Sequence, residues 1–517
     1  MFIPVLSPEQ SAEWDRRAEA AGIELATLME TAGRSSAAVL AARFPQAIGQ
    51  GVLVACGTGN NGGDGWVLAR ALHRLEVPVW VAALPGPGSA LAERMASRAR
   101  AEGVRCVAHD GPWPGVGLVV DAILGTGARG APRPPTGALI GRLNDLAVPI
   151  IAIDGPTGVD LRTGVVHEVA VRSGLSITFG GLRRGHLLGR EEVGDVVVVD
   201  IGHPPALPAW PQLVTDDHAA AWLPRLRAEA YKGDRGRVVV LGGDAGMTGA
   251  LRLAGRSAFG AGAGLVHAVA PAATIAALTA AEPDLQTCAQ SFEESPTETL
   301  VGLLARADAV VVGPGLGRAP GRREFIAGVL STARAAVLDA DGLIAFQGEM
   351  AGLRALAEDR VIVLTPHIGE FRALFPQLAS SLELDPWVAA EAAAGESGCT
   401  VVLKGVPSVV ARSGKGSWTI AAGNPGLATG GSGDLLSGFI GTLLAQGLEP
   451  EIAAALGSQV LGRAGDLAAR RHTARGMRPM DVISALPDLW RAWAARRQSP
   501  PPARPPVLVE LDRPLQD

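Results

Sequence analysis

The stretch "NPGLATGGSGDLLSG", residues 424–438, sets five glycines and one acid, Asp434, directly before the apolar run "LLSGFIGTLLAQGL". The apolar run predicts a helix, and the glycines ahead of it leave the amide groups of Gly431–Gly433 free to point at one ligand. A helix N-terminus attracts anions, so a phosphoryl group fits there and Asp434 is placed to accept the proton of an attacking hydroxyl. The alternative is an acid that only stabilises the first turn of its helix, by about 0.3–1 kcal/mol.

The second half of the chain alternates short β-branched runs with alanine-rich segments of helix length, a pattern typical of parallel βαβ units. The runs are "RVVVLGG", "GLVHAVA", "DAVVVGPGLG", "AAVLDADG", "VIVLTPHIGE" and "TVVLKG". In both halves of the chain, nearly every such run leads directly into Gly, Asp, Asn, Thr or His. Ligands of open parallel sheets bind at the carboxyl ends of the strands. No GxxxxGK[ST] sequence occurs, so a P-loop nucleotide site is excluded.

The first half shows the same alternation, in "GVLVAC", "VPVWVAAL", "GLVVDAILGTG", "VPIIAIDGPTG" and "DVVVVDIG". A chain of 517 residues exceeds the size of one ordinary core, so two α/β domains are expected. Residues 203–224 hold five prolines and no periodic pattern, which indicates an interdomain connection. We expect a first domain over residues 1–210, a linker over 211–224, a second domain over 225–495 and a Pro-rich, extended or disordered tail over 496–517.

The composition excludes several partners. The net charge is −5, which gives no general attraction to nucleic acid or to anionic lipid. No run of about 18 apolar residues and no basic segment before a long apolar stretch occurs, so we expect no membrane contact, no targeting segment and a cytoplasmic location. Only three of the 46 basic residues are lysine, Lys232, Lys404 and Lys415, so a role that needs a compact ammonium group is open to each.

The loop "GTGNNGGDG", residues 57–65, follows a predicted strand and contains G-x-G-x-x-G. A dehydrogenase Rossmann site would need an acid about 20 residues further on, but the second strand leads into "LPGPG". We therefore expect the loop amides to meet phosphate while the polar side chains of the loop serve another purpose. Asn61, Asp121 and Thr157, all at strand ends, form an oxygen set suited to a hard cation such as K⁺ or Mg²⁺.

These motifs together resemble a known family. "LMETAGRSSAAVL", "GTGNNGGDGWVLARAL", "DAILGTGARG", "IAIDGPTGVDLRTG" and "SITFGGLRRGHLLG", in this order over roughly residues 1–210, are similar to the NAD(P)H-hydrate epimerase domain of the YjeF N-terminal type. The resemblance implies a Rossmann-like three-layer α/β/α sandwich, K⁺ held by Asn61, Asp121 and Thr157, and Asp154 near the reacting nicotinamide ring. The hydrate contacts that it implies are Asn60, Asn61, Gly62, Gly63, Asp64, Gly125, Thr126, Gly127, Ala128, Arg129, Gly130, Ala131 and Asp154.

Asp154 is the expected acid/base of this domain. Epimerising a carbon that bears a hydroxyl group beside a ring nitrogen requires loss and re-addition of a group, which an Asp at a strand end can assist at a typical gain of about 10²–10⁴. The alternative is an acid that caps the turn before Gly155-Pro156. The chain departs from the family twice: Thr157 stands where Ser is usual and keeps the hydroxyl, whereas Arg183 and Arg184 stand where Lys is usual and cannot lose a proton.

The motifs of the second half carry a second resemblance. "YKGDRGRVVVLGGDAGMTGALRLAGRSA", "VVVGPGLG", "VLDADGL", "LTPHIGEF", "VVLKGVPSVV" and "GNPGLATGGSGD" are together similar to the ADP/ATP-dependent NAD(P)H-hydrate dehydratase, of the ribokinase-like α/β fold, over roughly residues 225–490. The hydrate contacts that it implies are Ala250, Gly317, His367 and Asp434, and the nucleotide contacts are Lys404, Gly405, Val406, Pro407, Ser408 and Gly433. Glu370 is an indirect Mg²⁺ ligand or a capping acid, and His367 orients the ring or is a hydrogen-bonded loop residue. Tyr231 replaces the His that the family more usually has.

The two resemblances predict one metabolite-repair function. The first domain would interconvert the R and S epimers of hydrated NADH or NADPH, and the second would dehydrate the S epimer with ADP and Mg²⁺. Two alternatives stay open: a kinase for a vitamin or a sugar alcohol, which leaves the first domain unexplained, and a nucleotide-binding scaffold or sensor without turnover. The expected partners are the hydrates and ADP, with no nucleic acid and no membrane, in a homo-oligomer.

Overall fold

The computed structural model describes residues 2–500 and 504–515, which form two compact units. One unit holds residues 2–210 and 504–513, and the other holds residues 211–500 and 514–515. Each unit is built around its own large sheet of mostly parallel strands. Within the described residues, no helix has both the length and the apolar character that crossing a membrane requires.

The first unit alternates strands and helices along residues 2–210. Its strands are β1 (Val5–Leu6), β2 (Val52–Cys56), β3 (Val79–Ala83), β4 (Arg105–Val107), β5 (Leu118–Ala122), β6 (Ile150–Ile153), β7 (Leu175–Phe179), β8 (Leu182–Arg183) and β9 (Asp195–Val199). Its helices are α1 (Pro8–Ala20), α2 (Leu25–Arg43), α3 (Pro45–Gly49), α4 (Asn60–Arg74), α5 (Ala90–Ala101), α6 (Thr136–Asn144) and α7 (Arg184–Leu188).

β2 lies in the middle of the main sheet of the first unit, where parallel strands follow in the order β9-β7-β6-β5-β2-β3-β4. Side chains of β2 alternate between two cores: Val52 and Val54 pack with α2 and α4, and Leu53 packs with Leu139 of α6. All residues of β2 are buried, as expected for a strand that is covered on both faces. The predicted three-layer α/β/α sandwich is confirmed.

The second unit continues the alternation. Its strands are β10 (Gln212–Leu213), β11 (Arg237–Leu241), β12 (Leu265–Ala270), β13 (Gln286–Ala289), β14 (Ala309–Val312), β15 (Ala335–Leu338), β16 (Val361–Leu364), β17 (Thr400–Leu403), β18 (Ser408–Ala411) and β19 (Trp418–Ile420). Its α-helices are α8 (Asp216–Trp222), α9 (Thr248–Gly260), α10 (Ala272–Ala281), α11 (Glu298–Leu304), α12 (Arg322–Thr332), α13 (Asp341–Ile344), α14 (Met350–Ala357), α15 (Ile368–Leu374), α16 (Ala379–Leu384), α17 (Pro386–Ser397), α18 (Ser432–Ala445), α19 (Pro450–Gly476) and α20 (Pro479–Gln498). Short 3₁₀ turns cover Pro376–Leu378 and Pro425–Leu427.

The sheet of the second unit has the order β10-β19-β18-β17-β16-β15-β14-β11-β12-β13, in which β18 runs antiparallel to both neighbours and the other pairs are parallel. α18 packs tightly against α9, because a Cβ on Gly438 would lie 2.0 Å from Ser257 Oγ and 2.3 Å from the Ala254 carbonyl oxygen. Only glycine permits this approach, which fixes α18 over the sheet. The second α/β domain is as predicted.

The ends of the predicted domains differ from the structure in two places. The predicted linker, residues 211–224, contains β10, which pairs with β19, and α8, whose Asp216 accepts from Arg463 of α19 at 3.0 Å. These contacts make the linker part of the second unit, and the Pro-rich composition concealed both short elements. The predicted tail begins inside α20, which ends at Gln498.

The rest of the tail is ordered where it is described. Val507–Leu511 forms β20, which is extended as predicted and pairs antiparallel with β9 at the edge of the first unit's sheet. The Arg513 N–H donates to Asp195 Oδ1 at 2.8 Å and closes the strand. Residues 501–503, 516 and 517 of the predicted tail lie outside the described residues. Proline content predicted an extended chain, but a valine-rich partner strand is what gives this segment a place in the sheet.

Candidate active sites

A cavity of about 670 Å³ opens in the first unit at the carboxyl ends of β2, β5 and β6. Because parallel strands end at the same edge, the loops that follow them converge there. The predicted hydrate contacts that line this cavity are Asn60, Asn61, Asp64, Gly125, Thr126, Gly127, Ala128 and Asp154.

The remaining predicted contacts of this domain are not part of the cavity wall. A Cβ on Gly62 would lie 2.0 Å from the Gly57 carbonyl oxygen, and one on Gly63 would lie 2.6 Å from Met29 Sδ. These two glycines therefore let α4 pack closely against its own loop and against α2. Arg129 is exposed and pairs with Glu9 at 3.0 Å, and Gly130 and Ala131 are exposed as well. Hydrate contacts at these five positions stay predictions.

The N-terminus of α4 faces this cavity. The helix begins at Asn60, and Gly63 is the residue whose N–H donates back to the Gly59 carbonyl, at 3.2 Å. The N–H groups of the first turn have no partner within the helix, and the positive end of its dipole lies beside them. This geometry suits a phosphate group, as the loop sequence predicts.

Asn61, Asp121 and Thr157 form one connected set of oxygen atoms. The backbone N–H and the hydroxyl of Thr157 each donate to Asp121 at 2.7 Å. Asn61 donates its amide hydrogen to the Leu124 carbonyl at 3.0 Å, and the Leu124 N–H donates to the Thr157 hydroxyl at 3.0 Å. Asn61 Oδ1 is buried and has no hydrogen-bond partner among the described residues. Burial raises the pKa of Asp121 to about 6, in spite of the bonds from Thr157.

Asp154 lies at the end of β6 with a backbone φ of 65°, a left-handed conformation that is rare outside glycine. Its Oδ2 accepts from the Thr126 N–H at 2.7 Å and from the Thr126 hydroxyl. The Arg183 guanidinium lies 3.5 Å from Oδ1. Burial alone would raise the pKa of Asp154, but Arg183 and the Thr126 bonds hold it below its usual value. Such a strained and strongly hydrogen-bonded acid is typical of an active site.

Arg183, rather than Arg184, takes the place beside Asp154. Its Nε donates to the Thr126 hydroxyl at 3.1 Å, and it lines the cavity, whereas Arg184 does not. His186 supports this arrangement from below: its Nδ1 accepts from the Arg183 N–H at 2.9 Å, so Nε2 donates to the Asp154 carbonyl at 2.6 Å. Burial lowers the pKa of His186 to about 4, which keeps the ring neutral.

In the second unit, Asp434 occupies the first turn of α18, as the opening stretch predicts. Of the predicted amides Gly431–Gly433, the one at Ser432 has a partner within the protein. Gly431 is the N-cap with a φ of 103°, and the Ser432 N–H donates to the Thr429 carbonyl at 3.4 Å. The helical ladder starts when Leu435 donates to Gly431, which leaves the N–H groups of Gly433 and Asp434 for a ligand. The Ser432 hydroxyl is also buried without a partner among the described residues.

Asp434 shares its surroundings with Lys404 and Asp339. Lys404, at the end of β17, donates to Asp339 Oδ1 at 2.9 Å and lies 3.6 Å from Glu370. A Cβ on Gly433 would lie 3.5 Å from Lys404 Nζ, so the ammonium group faces the N-terminus of α18. Burial first, and the charge of Asp339 second, raise the pKa of Asp434 to about 7, while Lys404 opposes the rise. Burial alone would lower the pKa of Lys404, but Asp339 and Glu370 hold it above its usual value.

Residues 404–407 form the loop between the antiparallel strands β17 and β18, and Ser408 is the first residue of β18. Lys404 faces Asp339, whereas Val406 is 74% exposed. The Ser408 hydroxyl contacts the Gly405 backbone at 3.2–3.3 Å and braces the loop. The structure thus brings Lys404 to Gly433, and it leaves the middle of the loop open to solvent, so the nucleotide contacts predicted for Gly405, Val406, Pro407 and Ser408 stay predictions.

Glu370 and His367 cap α15 reciprocally. His367 Nδ1 accepts from the Gly369 and Glu370 N–H groups, and Glu370 accepts from the His367 N–H at 2.8 Å. The His367 side chain is 60% exposed, and its second ring nitrogen, Nε2, is not used in the cap. Ala250 lies on α9 next to the loop after β14, and the Gly317 N–H donates to Asp341 at 3.0 Å in that loop. No described group of three or more His, Cys, Asp or Glu side chains is arranged to hold a metal ion.

Comparison with known proteins covers both units. The family described as YjeF-related protein N-terminus matches residues 25–185, and the family described as NAD(P)H-hydrate dehydratase matches residues 238–488. The bifunctional NAD(P)H-hydrate repair enzyme Nnr of Escherichia coli (strain K12) is 36% identical over 485 residues, which are 91% of this chain and 90% of that protein. The namesake of Coxiella burnetii is 34% identical, over 92% of this chain and 97% of that protein.

The chain belongs to the family of bifunctional NAD(P)H-hydrate repair enzymes.

Among solved structures, the ADP/ATP-dependent NAD(P)H-hydrate dehydratase of Bacillus subtilis, co-crystallized with ATP/Mg²⁺, matches with a TM-score of 0.48 and 26% identity, over 54% of this chain and 97% of that one. Membership of the NAD(P)H-hydrate repair family confirms both resemblances that the motifs carry. It does not favour the kinase alternative, and it leaves the scaffold or sensor without support.

Several residues beside the two candidate sites of this repair enzyme are not predicted from its motifs. Asp339 and Thr365 hold Lys404, since the Thr365 hydroxyl donates to Asp339 at 2.8 Å. In the first unit, Thr178 lies 3.4 Å from Asp154, and His186 supports it. The one sequence signal that could have found Asp339 is its place at the end of a β-branched run, in "VLDADG". Nothing in the sequence links His186 to Asp154, which lies 32 residues earlier.

Proposed function

We propose that the first unit interconverts the R and S epimers of hydrated NADH and NADPH, and that the second unit dehydrates the S epimer with ADP as phosphoryl donor. One observation carries the proposal: Asp434, whose pKa is raised to about 7, lies at the open amide end of α18 within reach of the charge of Lys404. A base with a pKa near the working pH, beside an anion site, is what transfer of a phosphoryl group to a hydroxyl requires.

In the second unit, Asp434 would take the proton of the 6-hydroxyl group of the hydrate. The oxygen of that hydroxyl group would at the same time attack the terminal phosphorus of ADP. The bond from that phosphorus to the bridging oxygen breaks, and AMP leaves. The Gly433 and Asp434 amides and Lys404 would stabilise the transferred group. Loss of phosphate from carbon 6 and of a proton from carbon 5 then restores the dihydronicotinamide ring, so that hydrate and ADP give NAD(P)H, AMP and phosphate.

Mg²⁺ would enter with the nucleotide, because the described part of this unit has no acidic cluster that holds a metal by itself. When bound, it would neutralise charge on the phosphates. Glu370 accepts from the His367 N–H and lies 3.6 Å from Lys404. It would therefore act on the ion only indirectly, through a water molecule bound to the ion. The choice of ADP over ATP as the phosphoryl donor rests on the resemblance to the two-domain family. The geometry of the site does not distinguish the two donors.

In the first unit, Asp154 would act as the acid/base at carbon 6 of the hydrate. Arg183 and Thr126 keep its carboxylate ionised, so it can accept a proton from the water that adds to carbon 6. In the opposite direction, the protonated carboxyl group would return that proton to the hydroxyl group, which leaves as water. The donors present fit K⁺: the unpaired Asn61 Oδ1, the buried Asp121 carboxylate and the Thr157 hydroxyl would hold it. When bound, K⁺ would offset the charge of Asp121 and fix the loop that carries Thr126. The homo-oligomer and the cytoplasmic location stay predictions.

Chromatography of both epimers tests the two reactions in one chain. With ADP and Mg²⁺, the protein should consume a mixture of epimers completely. Asp154→Asn should consume the S epimer and leave the R epimer to its slow spontaneous rate, whereas Asp434→Asn should equilibrate the epimers and consume neither. If the R epimer persists with the unaltered protein, the function assigned to the first unit is refuted. If Asp434→Asn still consumes both epimers, the function assigned to the second unit is refuted.

Thermal unfolding tests the cation site without any assay of activity. A ion that binds only the folded state raises the melting temperature in proportion to the logarithm of its concentration. We expect K⁺ to stabilise the first unit more than Li⁺ at equal ionic strength. Asn61→Ala should abolish that difference, and Asn144→Ala, a change outside the cavity wall, should keep it. Equal melting temperatures in both salts would remove K⁺ from the proposal.

A further inference from the structure

One wall of the first-unit cavity carries a histidine–aspartate pair that the proposed reaction does not use. Asp15 lies on α1, and His203 follows β9. Both residues line the cavity, and His203 Nε2 lies 2.9 Å from Asp15 Oδ1. Pro8, Ser11, Ala12 and Asp15 all line it, at the spacing of one helical face, so α1 presents Asp15 to the cavity as its one charged residue there.

The ring of His203 is packed between Trp14 and Gly180. It stacks on Trp14 with a distance of 4.3 Å between ring centres and an angle of 17°. The Trp14 indole N–H donates to the Pro204 carbonyl at 2.8 Å, which ties the stack to the loop after β9. On the other side, a Cβ on Gly180 would lie 2.8 Å from His203 Nδ1, so only glycine leaves room for the ring.

The hydrogen-bonding of His203 points to a single task. A carboxylate accepts only, so Nε2 carries the hydrogen that is donated to Asp15. Nδ1 is buried and has no partner among the described residues. The side chain of His203 is 6% exposed, whereas that of Asp15 is 48% exposed. A contact with a half-exposed carboxylate contributes little to folding, so the buried histidine is better explained if it orients the Asp15 carboxylate.

The place of Asp15 in the cavity indicates what its free oxygen meets. The open amides of α4 suit the phosphates of the dinucleotide, and Asp154 lines the same cavity. In the proposed epimerisation, Asp154 would act on the nicotinamide ring. A ribose joins these two groups in the substrate, and carboxylates are the usual acceptors for ribose hydroxyl groups. We propose that Asp15 binds a ribose hydroxyl group of the hydrate and that His203 is its positioning residue. This inference rests on the proposed epimerase function of the first unit.

Steady-state epimerisation without ADP, followed by chromatography, tests the pair. Asp15→Asn should raise KM about tenfold and change kcat little, because a neutral amide replaces the charged acceptor of the hydroxyl group. It should also raise the inhibition constant of ADP-ribose, which has the riboses and phosphates but no nicotinamide, by a similar factor. His203→Ala should raise KM less, and His203→Gln, whose amide can donate to Asp15, should recover most of it. The double variant Asp15→Asn/His203→Ala should be no worse than Asp15→Asn.

Asp145→Asn, an exposed change outside the cavity wall, serves as the matched control, and dehydration of pure S epimer by the same chain shows that the second unit is intact. If His203→Ala unfolds the first unit, Asp15→Asn and His203→Gln still decide the question. An unchanged KM in Asp15→Asn, or effects that add in the double variant, would overturn the inference. A raised KM with an unchanged inhibition constant for ADP-ribose would overturn the ribose assignment. Absence of epimerisation by the unaltered protein would instead refute the function itself.

Discussion

Lys404 donates a 2.9 Å hydrogen bond to Asp339, and these two residues act in opposite directions on the charge of Asp434. Burial and the negative charge of Asp339 raise the pKa of Asp434 to about 7, and the ammonium group of Lys404 limits the rise. A change at either residue therefore shifts the pH at which Asp434 can act as a base.

The rate of dehydration at saturating substrate should rise with pH through about 7, because only ionised Asp434 can accept the proton. Lys404→Met removes the charge that favours ionisation, so its pH profile should move to higher pH and its maximal rate should fall. Lys415→Met, which changes an exposed lysine in another turn, should leave the profile in place. A profile that stays at the same pH in Lys404→Met would contradict the role of the ammonium group.

Asp434→Asn should lose about 10²-fold or more in dehydration and yet make the folded protein more stable above pH 7. The pKa of Asp434 is raised on folding, so its contribution to stability is complete below the unfolded value and is lost as pH rises through about 7. Asparagine carries no charge to bury. Melting temperatures of variant and unaltered protein should thus agree near pH 3.5 and separate at pH 8. Equal melting temperatures at pH 8 would show that the ionised carboxylate of Asp434 does not destabilise the folded protein.

Gly433→Ala should lower dehydration at least tenfold while the protein stays folded. The added Cβ would lie 3.4 Å from Asp339 Oδ2 and 3.5 Å from Lys404 Nζ, an ordinary contact distance that nevertheless occupies the space beside the ammonium group. Alanine also favours a helix over glycine by about 1 kcal/mol, so the melting temperature should not fall. Gly395→Ala on α17, where nothing lies within 4 Å, is the matched control for rate and stability. Full activity in Gly433→Ala would show that no ligand uses this space.

Arg183→Met should weaken epimerisation most at low pH. The guanidinium group helps to hold the pKa of Asp154 below its usual value, so its loss lets Asp154 take up a proton at a higher pH. The acid limb of the profile should move upward, and the rate at pH 6 should fall about tenfold or more. Arg183→Lys should restore part of the rate, and the exposed Arg172→Met should change nothing. Equal acid limbs in Arg183→Met and the unaltered protein would contradict this account.

The sequence predicts the fold class and the members of both sites where the signal is local. β-branched runs that lead into polar residues place Asp154 and Lys404 at strand ends, the apolar run after Asp434 places that acid at a helix start, and the structure has all three there. Contacts between distant residues carry no local signal. Lys404 donates to Asp339, 65 residues away, and Arg183 donates to Thr126, 57 residues away, so sequence spacing predicts neither pairing.

Glycines in the motifs serve more than one purpose. The motif "NNGGDG" predicts that Gly62 and Gly63 contact the hydrate, and steric contacts with Gly57 and Met29 require glycine there as well. One residue type thus serves both ligand approach and helix packing, and the sequence alone does not separate these uses. The same holds at α18, where Gly431 caps the helix and Gly433 faces Lys404.

The pairing of β20 with β9 has a consequence for synthesis of the chain on the ribosome. The edge strand Asp195–Val199 leaves the exit tunnel long before its partner, Val507–Leu511, has been translated. At a rate of about 5–20 residues per second, that interval is roughly 15–60 s. During this time the nascent first unit presents a valine-rich strand with unpaired backbone groups, which is the kind of edge that chaperones must shield from other chains.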